Sequence, residues 1–308
     1  MTNYRPVPTE DEVRAYFDKY TNWGRWGPDD SAGTINLITR EKRVEAAATV
    51  KSGRAVSLSR PWDTIGKPGN WNPAQHFVQS GVDFSADYIG IRFHGYATTH
   101  VDSLCHIFWQ GKMWNGKPAE DVTSFGAQSG DVAAWSNGIT TRGVLVDIPR
   151  YRGVDYVAVD EPVRGYEIEE AAAKQGVELR PGDALCVYSG REKFFAAHPE
   201  YTPGVRPQAG LQVDCVPVLK ERDVSILVWD QMDHRPTPYP MFEEPPRAGG
   251  PVHVFAIVYL GLPLLDNSLL EPLADACAEE GRYEFMLTVN PLHIRGGTGS
   301  PVNPIAVF

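Results

Sequence analysis

The chain has 308 residues, 42% hydrophobic and 22% charged, with a formal net charge of -10 at pH 7. This is an ordinary globular balance, able to bury a substantial core. The acidic charge, with no cluster of Lys and Arg, argues against nucleic acid as a partner and for a small neutral, cationic or metal-assisted substrate.

The four cysteines, Cys105, Cys186, Cys215 and Cys277, form no CxxC pair, which argues against a zinc ribbon and against a disulfide framework. The opening "MTNYRPVPTEDEVRAYF" lacks the basic-then-apolar order of a signal peptide. No apolar run approaches the roughly 20 residues of a membrane span. The expectation is a cytoplasmic protein with no membrane partner. Gly 29 and Pro 25 imply many turns and ordered loops.

Residues 9–20, "TEDEVRAYFDKY", predict an amphipathic helix capped by Thr9. "TNWGRWGPDDSAGTINLIT" is an irregular aromatic segment, either an anchored surface loop or a pocket wall. Thr39 caps a second helix that stops at Gly53. "AVSLSRP" predicts a strand, and residues 61–86 a long loop. "DYIGIRFHG" predicts a strand running into a cluster of histidines.

Further on, "GVLVDIP", "DALCVYSG" and "VSILVWD" predict buried strands. "YEIEEAAAKQG" predicts a helix, and "GLQVDCVPVLKERD" a helix interrupted near Pro217. The β-branched content of "HVFAIVYLGLPLL" and its Gly261-Leu262-Pro263 break favour strand plus loop. "SLLEPLADACAEEG" predicts a helix capped by Ser268, and "YEFMLTVNPLHI" a final strand. The mixture lacks a strict βαβ rhythm. It implies an α/β fold with a mixed β-sheet and flanking helices, as one domain over 1–308 with an N-terminal helical and loop extension, 1–54.

The segment "HGYATTHVDSLCH", residues 94–106, holds three of the chain's eight histidines. In an extended segment His100 and Asp102 point to one face, and His106 is reachable across one turn. Imidazole and carboxylate together suit Zn²⁺, Mn²⁺ or Fe²⁺. Three ligands from His100, Asp102 and His106 leave the open position that a catalytic metal needs.

"TTHVDSLCH" resembles the signature of the cyclase family of hydrolases, which contains bacterial kynurenine formamidases and isatin hydrolases. Thr99, His100, Asp102 and His106 fall on the T-H-x-D-x3-H portion of that signature. "WGPDDSAGTINLIT", "PGDALCVYSG", "GLQVDCVPVLKERDVSILVWDQMD" and "LPLLDNSLLEPLA" are similar to four further family segments, in order along the chain. The resemblance implies the swivelling β/β/α fold, a homo-oligomer, and a divalent metal, Zn or Mn, that activates water against a carbonyl carbon. The bond cleaved would be an amide, a cyclic amide or imide, or a lactone in a small substrate. By the same resemblance His100 and Asp102 match metal ligands, and His106 matches a histidine that is a ligand or an acid–base group. His253 and Asp266 match catalytic positions. Tyr96 stands where the family has its first histidine, and a ligand shifted to His94 is left open.

Aromatic residues near the motif or on the loops, Tyr96, Phe108, Trp109, Trp26 and Trp71, are candidate walls for a flat substrate, with plain packing as the alternative. Two other chemistries fit parts of the pattern. An Fe(II) oxygenase would use the H-x-D pair, closed by His234 or His253. A metal-free binding protein of the same fold would explain Tyr96. A serine hydrolase lacks its G-x-S-x-G elbow, and "IRGGTGSP" lacks the order of a phosphate loop.

Overall fold

A computed structural model of the chain describes residues 5–243 and 249–308; the first four residues of the N-terminal stretch read above lie outside it. Its strands are β1 (Ala55–Ser57), β2 (Gln75–Ser80), β3 (Ser85–Gly90), β4 (His100–Asp102), β5 (Val122–Thr123), β6 (Gly126–Ala127) and β7 (Ile139–Asp147). They continue with β8 (Ala184–Tyr188), β9 (Ile226–Trp229), β10 (Leu264–Asp266), β11 (Glu284–Val289), β12 (Gly299–Pro301) and β13 (Ile305–Val307). One sheet has nine strands, in the order β1-β13-β11-β7-β8-β9-β10-β4-β12. Its centre, β7 to β10, is parallel, and both flanks are antiparallel. The fold is therefore α/β with a mixed sheet and flanking helices, as the sequence implied.

The central strands read as continuous apolar runs because both faces are covered. Val144, Leu185, Leu227 and Leu264 lie side by side and enter one core, while Leu145, Cys186, Val228 and Leu265 enter the other. The first core is closed by the helices Gly165–Lys174 and Val216–Glu221, and the second by Glu271–Glu280. Thr9 caps the helix Glu10–Lys19 in a reciprocal pair with Glu12, and Thr39 caps Arg40–Ala48. All four cysteines are buried and unpaired. Among the described residues no helix is long and apolar enough to cross a membrane.

Four elements depart from expectation. The apolar run expected as a strand is helical, Pro251–His253 continuing as a π-helix over Val254–Leu260. Its side chains from Val252 to Val258 are all buried, and a helix that is apolar all round gives no periodic signal. Pro251 opens it, and Gly261 closes it in the left-handed region. The strand expected to run into the histidines ends instead at Gly90, as β3 of an exposed hairpin whose other strand, β2, lies within the expected loop. Its aromatics pair with each other, Phe77 against Tyr88, and not with the main sheet. Pro217 lies in the first turn of its helix and does not interrupt it. Ser268 does not cap Glu271–Glu280, which starts after Leu270; its hydroxyl donates to the Leu265 carbonyl.

The aromatic N-terminal segment is an anchor for the π-helix. Trp23 donates its indole N–H to the Val258 carbonyl at 2.6 Å and stacks on Tyr259. Gly33 lies so close to Gly261 that a Cβ there would sit 2.0 Å from the Gly261 oxygen, and only glycine fits.

Candidate metal and acid–base site

Sheet register assembles the site. Asp266, the last residue of β10, sits opposite His100 at the start of β4. Alternation along β4 then puts Asp102 on the same face as His100. Trp229, the last residue of the parallel strand β9, donates its indole N–H to Asp266 Oδ1 at 2.5 Å. The site thus lies at the carboxyl ends of the parallel strands, where open α/β sheets usually bind ligands.

Asp102 is the centre. It is fully buried, and neither carboxylate oxygen has a hydrogen-bond partner among the described residues. His94 Nδ1 lies 2.9 Å from its Oδ1, His100 Nε2 3.4 Å and His106 Nε2 3.8 Å. The close approach of His94 lacks the alignment of a hydrogen bond, and its Nδ1 is also unpartnered. The His94 and His106 rings stack, with centroids 3.7 Å apart.

The tautomer of His100 sharpens this. Its Nδ1 faces the Thr98 carbonyl at 2.8 Å, and a carbonyl only accepts, so Nδ1 carries the proton. In the neutral ring Nε2 then turns a lone pair toward Asp102. Two acceptors facing each other inside a protein need a proton or a metal cation between them. Burial opposes a charge on His100, but Asp102 and Asp266 outweigh it and raise its pKa, so positive charge is favoured at this point. Two overlapping sets, His94–Asp102–His106 and His100–Asp102–Asp266, each bring their ligand atoms within 4.8 Å of one another. Asp102 belongs to both. The donor set and its orphaned oxygens fit a divalent ion.

His253 stands at the other edge, at the start of the helical segment. Its Nδ1 bonds Asp233, and its Nε2 lies 3.2 Å from Asp266 Oδ2 and 3.9 Å from Asp102 Oδ2. Burial disfavours its charge, but Asp233 and Asp266 outweigh that and hold its pKa well above the usual imidazole range. His106 goes the other way: burial, aided by the neighbouring histidines, pushes it down to about 4 despite Asp102. Burial also opposes ionisation of Asp102, yet the surrounding histidines keep its pKa well below the usual range.

Several supporting residues carried no sequence signal. Asp233 Oδ1 also accepts from the Val252 N–H at 2.6 Å, fixing the helix start beneath His253. Gly250 permits that approach, since a Cβ there would sit 2.2 Å from Asp233 Cγ. Asn267, in the left-handed region, donates to the Gly95 and Thr98 carbonyls. It accepts from the buried Arg191, which also donates to the Tyr96 carbonyl. This network shapes the irregular loop between His94 and His100.

A cavity of about 120 Å³ opens onto the cluster, lined by His100, His106, His253 and Asp266 together with Tyr96, Gln208, Met232 and Arg235. Tyr96 is thus placed at the cavity. The other four aromatic candidates are not. Trp109 packs in the core against Phe17 and Phe242, and Trp26 lies against Trp114. Phe108 and Trp71 are exposed outside the cavity lining. His234 also lies outside it.

Residues 40–234 match the family described as "Putative cyclase", well over half of the chain. The chain belongs to the cyclase family. A crystal structure described as that of a novel cyclase is 30% identical, covers 95% of this chain and 99% of its own, and superposes with a TM-score of 0.80. An isatin hydrolase bound to the product analogue thioisatinate is 14% identical, with 87% and 98% coverage and a TM-score of 0.56. Isatin hydrolase A from Labrenzia aggregata, bound to benzyl benzoate, is 16% identical, with 85% and 94% coverage and a TM-score of 0.55. At these identities the two hydrolases share the cyclase fold. No curated protein matches the chain.

Proposed function

We propose that this cyclase-family protein is a metal-dependent hydrolase that opens an amide, a cyclic amide or imide, or a lactone in a small substrate, with Zn or Mn as its ion. The observation that carries this reading is Asp102, a buried carboxylate with both oxygens unpartnered and three imidazoles around Oδ1. Asp102 would be the shared ligand, with His94, His100 and His106 beside it and Asp266 at the edge. The fold shared with the isatin hydrolases supports the bond type.

Once bound, such an ion would polarise the carbonyl and make water nucleophilic near neutral pH. The chain's own residues divide the proton work. His106, kept neutral by burial, turns Nε2 toward Asp102 at 3.8 Å and would serve through that atom either as a ligand or, with the ion held by the other residues, as the proton acceptor. His253, kept protonated between Asp233 and Asp266, borders the cavity with Nε2 on Asp266 and would be the donor of a proton to the leaving nitrogen or oxygen, with Asp266 beside it. Neighbouring groups driven to opposite protonation states are the pattern of an acid and a base. Trp229 and Asp233 keep Asp266 and His253 in place.

Single-domain organisation over 1–308 is supported by the one sheet that runs from β1 to β13. A homo-oligomer is supported by Phe77, Phe84 and Tyr88, exposed on the hairpin. A reducing, cytoplasmic location is supported by the four unpaired cysteines.

The test is the metal content of protein purified without added metal or chelator, by elemental mass spectrometry, followed by turnover of amides, imides and lactones. About one Zn or Mn per chain with hydrolysis of one class is the expected result. A chain that neither holds nor takes up metal overturns the reading.

A further inference from the structure

One cation in the cavity wall has no work in the scheme above. Arg235 lines the same cavity as His253 and Asp266 and is 5% exposed. Its backbone is pinned on both sides by Gln208: the Arg235 N–H donates to the Gln208 carbonyl at 3.1 Å, and the Gln208 N–H to the Arg235 carbonyl at 2.7 Å. The guanidinium is only partly used. Nη2 donates to the Phe242 carbonyl and to Glu243, each at 3.2 Å. Nε is buried without a partner, and Nη1 has none among the described residues.

Among the described residues the carboxylates near Arg235 are shared or already engaged. Glu243 also pairs with Arg206, and its second oxygen accepts from Thr237, so one carboxylate serves two guanidiniums. The other carboxylate near Arg235 in the wall, Asp233, is taken by His253 and the Val252 N–H. An arginine with its Nε buried and unpartnered costs free energy unless something bonds it. The free Nε–H and Nη1–H lie on different edges of the guanidinium, so a carboxylate would take a single charge-assisted hydrogen bond from one of them.

We infer that Arg235 is a specificity-determining residue that binds a carboxylate carried by the substrate, so that the preferred substrates are anionic amides, imides or lactones. This deepens the hydrolase reading and rests on it for the bond cleaved. The chain's overall acidity is no objection, because in the cavity lining Asp233 and Asp266 are both engaged by His253 while the Arg235 Nε has no partner. Ile107, Met232 and Tyr96 line the same cavity and would hold the apolar body of such a molecule.

The experiment is calorimetric binding of benzoate and of its uncharged counterpart benzamide to the metal-loaded protein, to R235Q and to R235K, with metal content measured on each. The expected result is benzoate bound at least about tenfold tighter than benzamide by the native protein. That ratio should fall to near one in R235Q and to an intermediate value in R235K, with metal content unchanged, since a charged hydrogen bond is worth about tenfold or more. No preference for benzoate in the native protein overturns the inference, and so does a preference that survives R235Q. If the surviving preference vanishes on chelation, the carboxylate sits on the metal; Arg235 is then excluded while the hydrolase reading stands. If no metal is present at all, the hydrolase reading fails, yet the benzoate–benzamide ratio still reports on Arg235. Should R235Q not fold, R235K decides by the same ratio.

Discussion

His94 and Asp102 stand 2.9 Å apart, Nδ1 to Oδ1, and are not hydrogen-bonded to each other. Such a pair, buried and unaligned, is what two ligands of one ion look like when each is oriented by something else. His94 is oriented by Thr298, whose hydroxyl lies 3.0 Å from Nε2. The histidine that the family motif places four residues before His100 is Tyr96 in this chain, and the irregular loop lets His94 reach the same carboxylate from further back.

This makes a discriminating pair of variants. His94→Ala should lower metal affinity by at least about tenfold, the scale on which even supporting residues of metal sites act. Tyr96→Phe should leave it unchanged, because Tyr96 lines the cavity and is in neither ligand set. Metal retained after dialysis against a graded chelator reads both. Equal losses in the two variants would remove His94 from the site.

Asp233 offers a second test, of positioning as opposed to chemistry. Asp233→Asn keeps the shape but weakens the hold on His253 Nδ1 and on its protonated state. The expected outcome is a fall in kcat of about a hundredfold, the scale of lost general acid–base catalysis, with metal content and KM little changed. Steady-state kinetics beside elemental analysis would show it. A parallel loss of metal would place Asp233 in the ligand system.

How far the sequence could be read depends on the kind of signal. The central strands were legible because burial on both faces leaves an unbroken apolar run such as "VSILVWD". The helix caps Thr9 and Thr39 were legible because capping is local chemistry. The π-helix was not, since its burial on every side erases the period that separates helix from strand. Within the site, spacing brought His100, Asp102 and His106 together as one expected set, whereas the structure divides them between two sets around Asp102, completed by His94 and by Asp266. Asp233 and Asn267 could not be grouped with them, because register and loop closure over long sequence separations bring them to His253 and Thr98. For Trp109 the packing alternative holds, since it is packed between Phe17 and Phe242, whereas Trp71 is exposed on the surface.

Asn267 carries the third prediction. Its amide donates to two loop carbonyls and accepts from Arg191, all in a buried setting. Asn267→Ala leaves those groups unpaired and puts a Cβ-bearing residue with no polar arm at a positive φ. A loss of about 2–3 kcal/mol in unfolding free energy is expected, within the range for an unsatisfied buried group. Urea denaturation measures it. Since Thr98 orients His100, metal affinity should fall with it; a stability change with metal binding intact would confine Asn267 to the fold.

The last prediction concerns the coupling of metal to stability. An ion that binds only the folded chain stabilises it by mass action, about 2.7 kcal/mol when its concentration is a hundred times Kd. In the native protein Zn or Mn should therefore raise the midpoint of thermal unfolding, and chelation should reverse the rise. In Asp102→Asn the shared ligand becomes an amide, a poorer partner for a divalent ion, and both ligand sets lose their common member. The metal-induced rise should vanish there while the chelated variant still unfolds cooperatively, because the two cores on either face of the sheet do not depend on Asp102. Calorimetry of both proteins, with metal and with chelator, gives the comparison. A rise of equal size in Asp102→Asn would mean that the ion binds elsewhere and that the buried, unpartnered carboxylate serves another purpose.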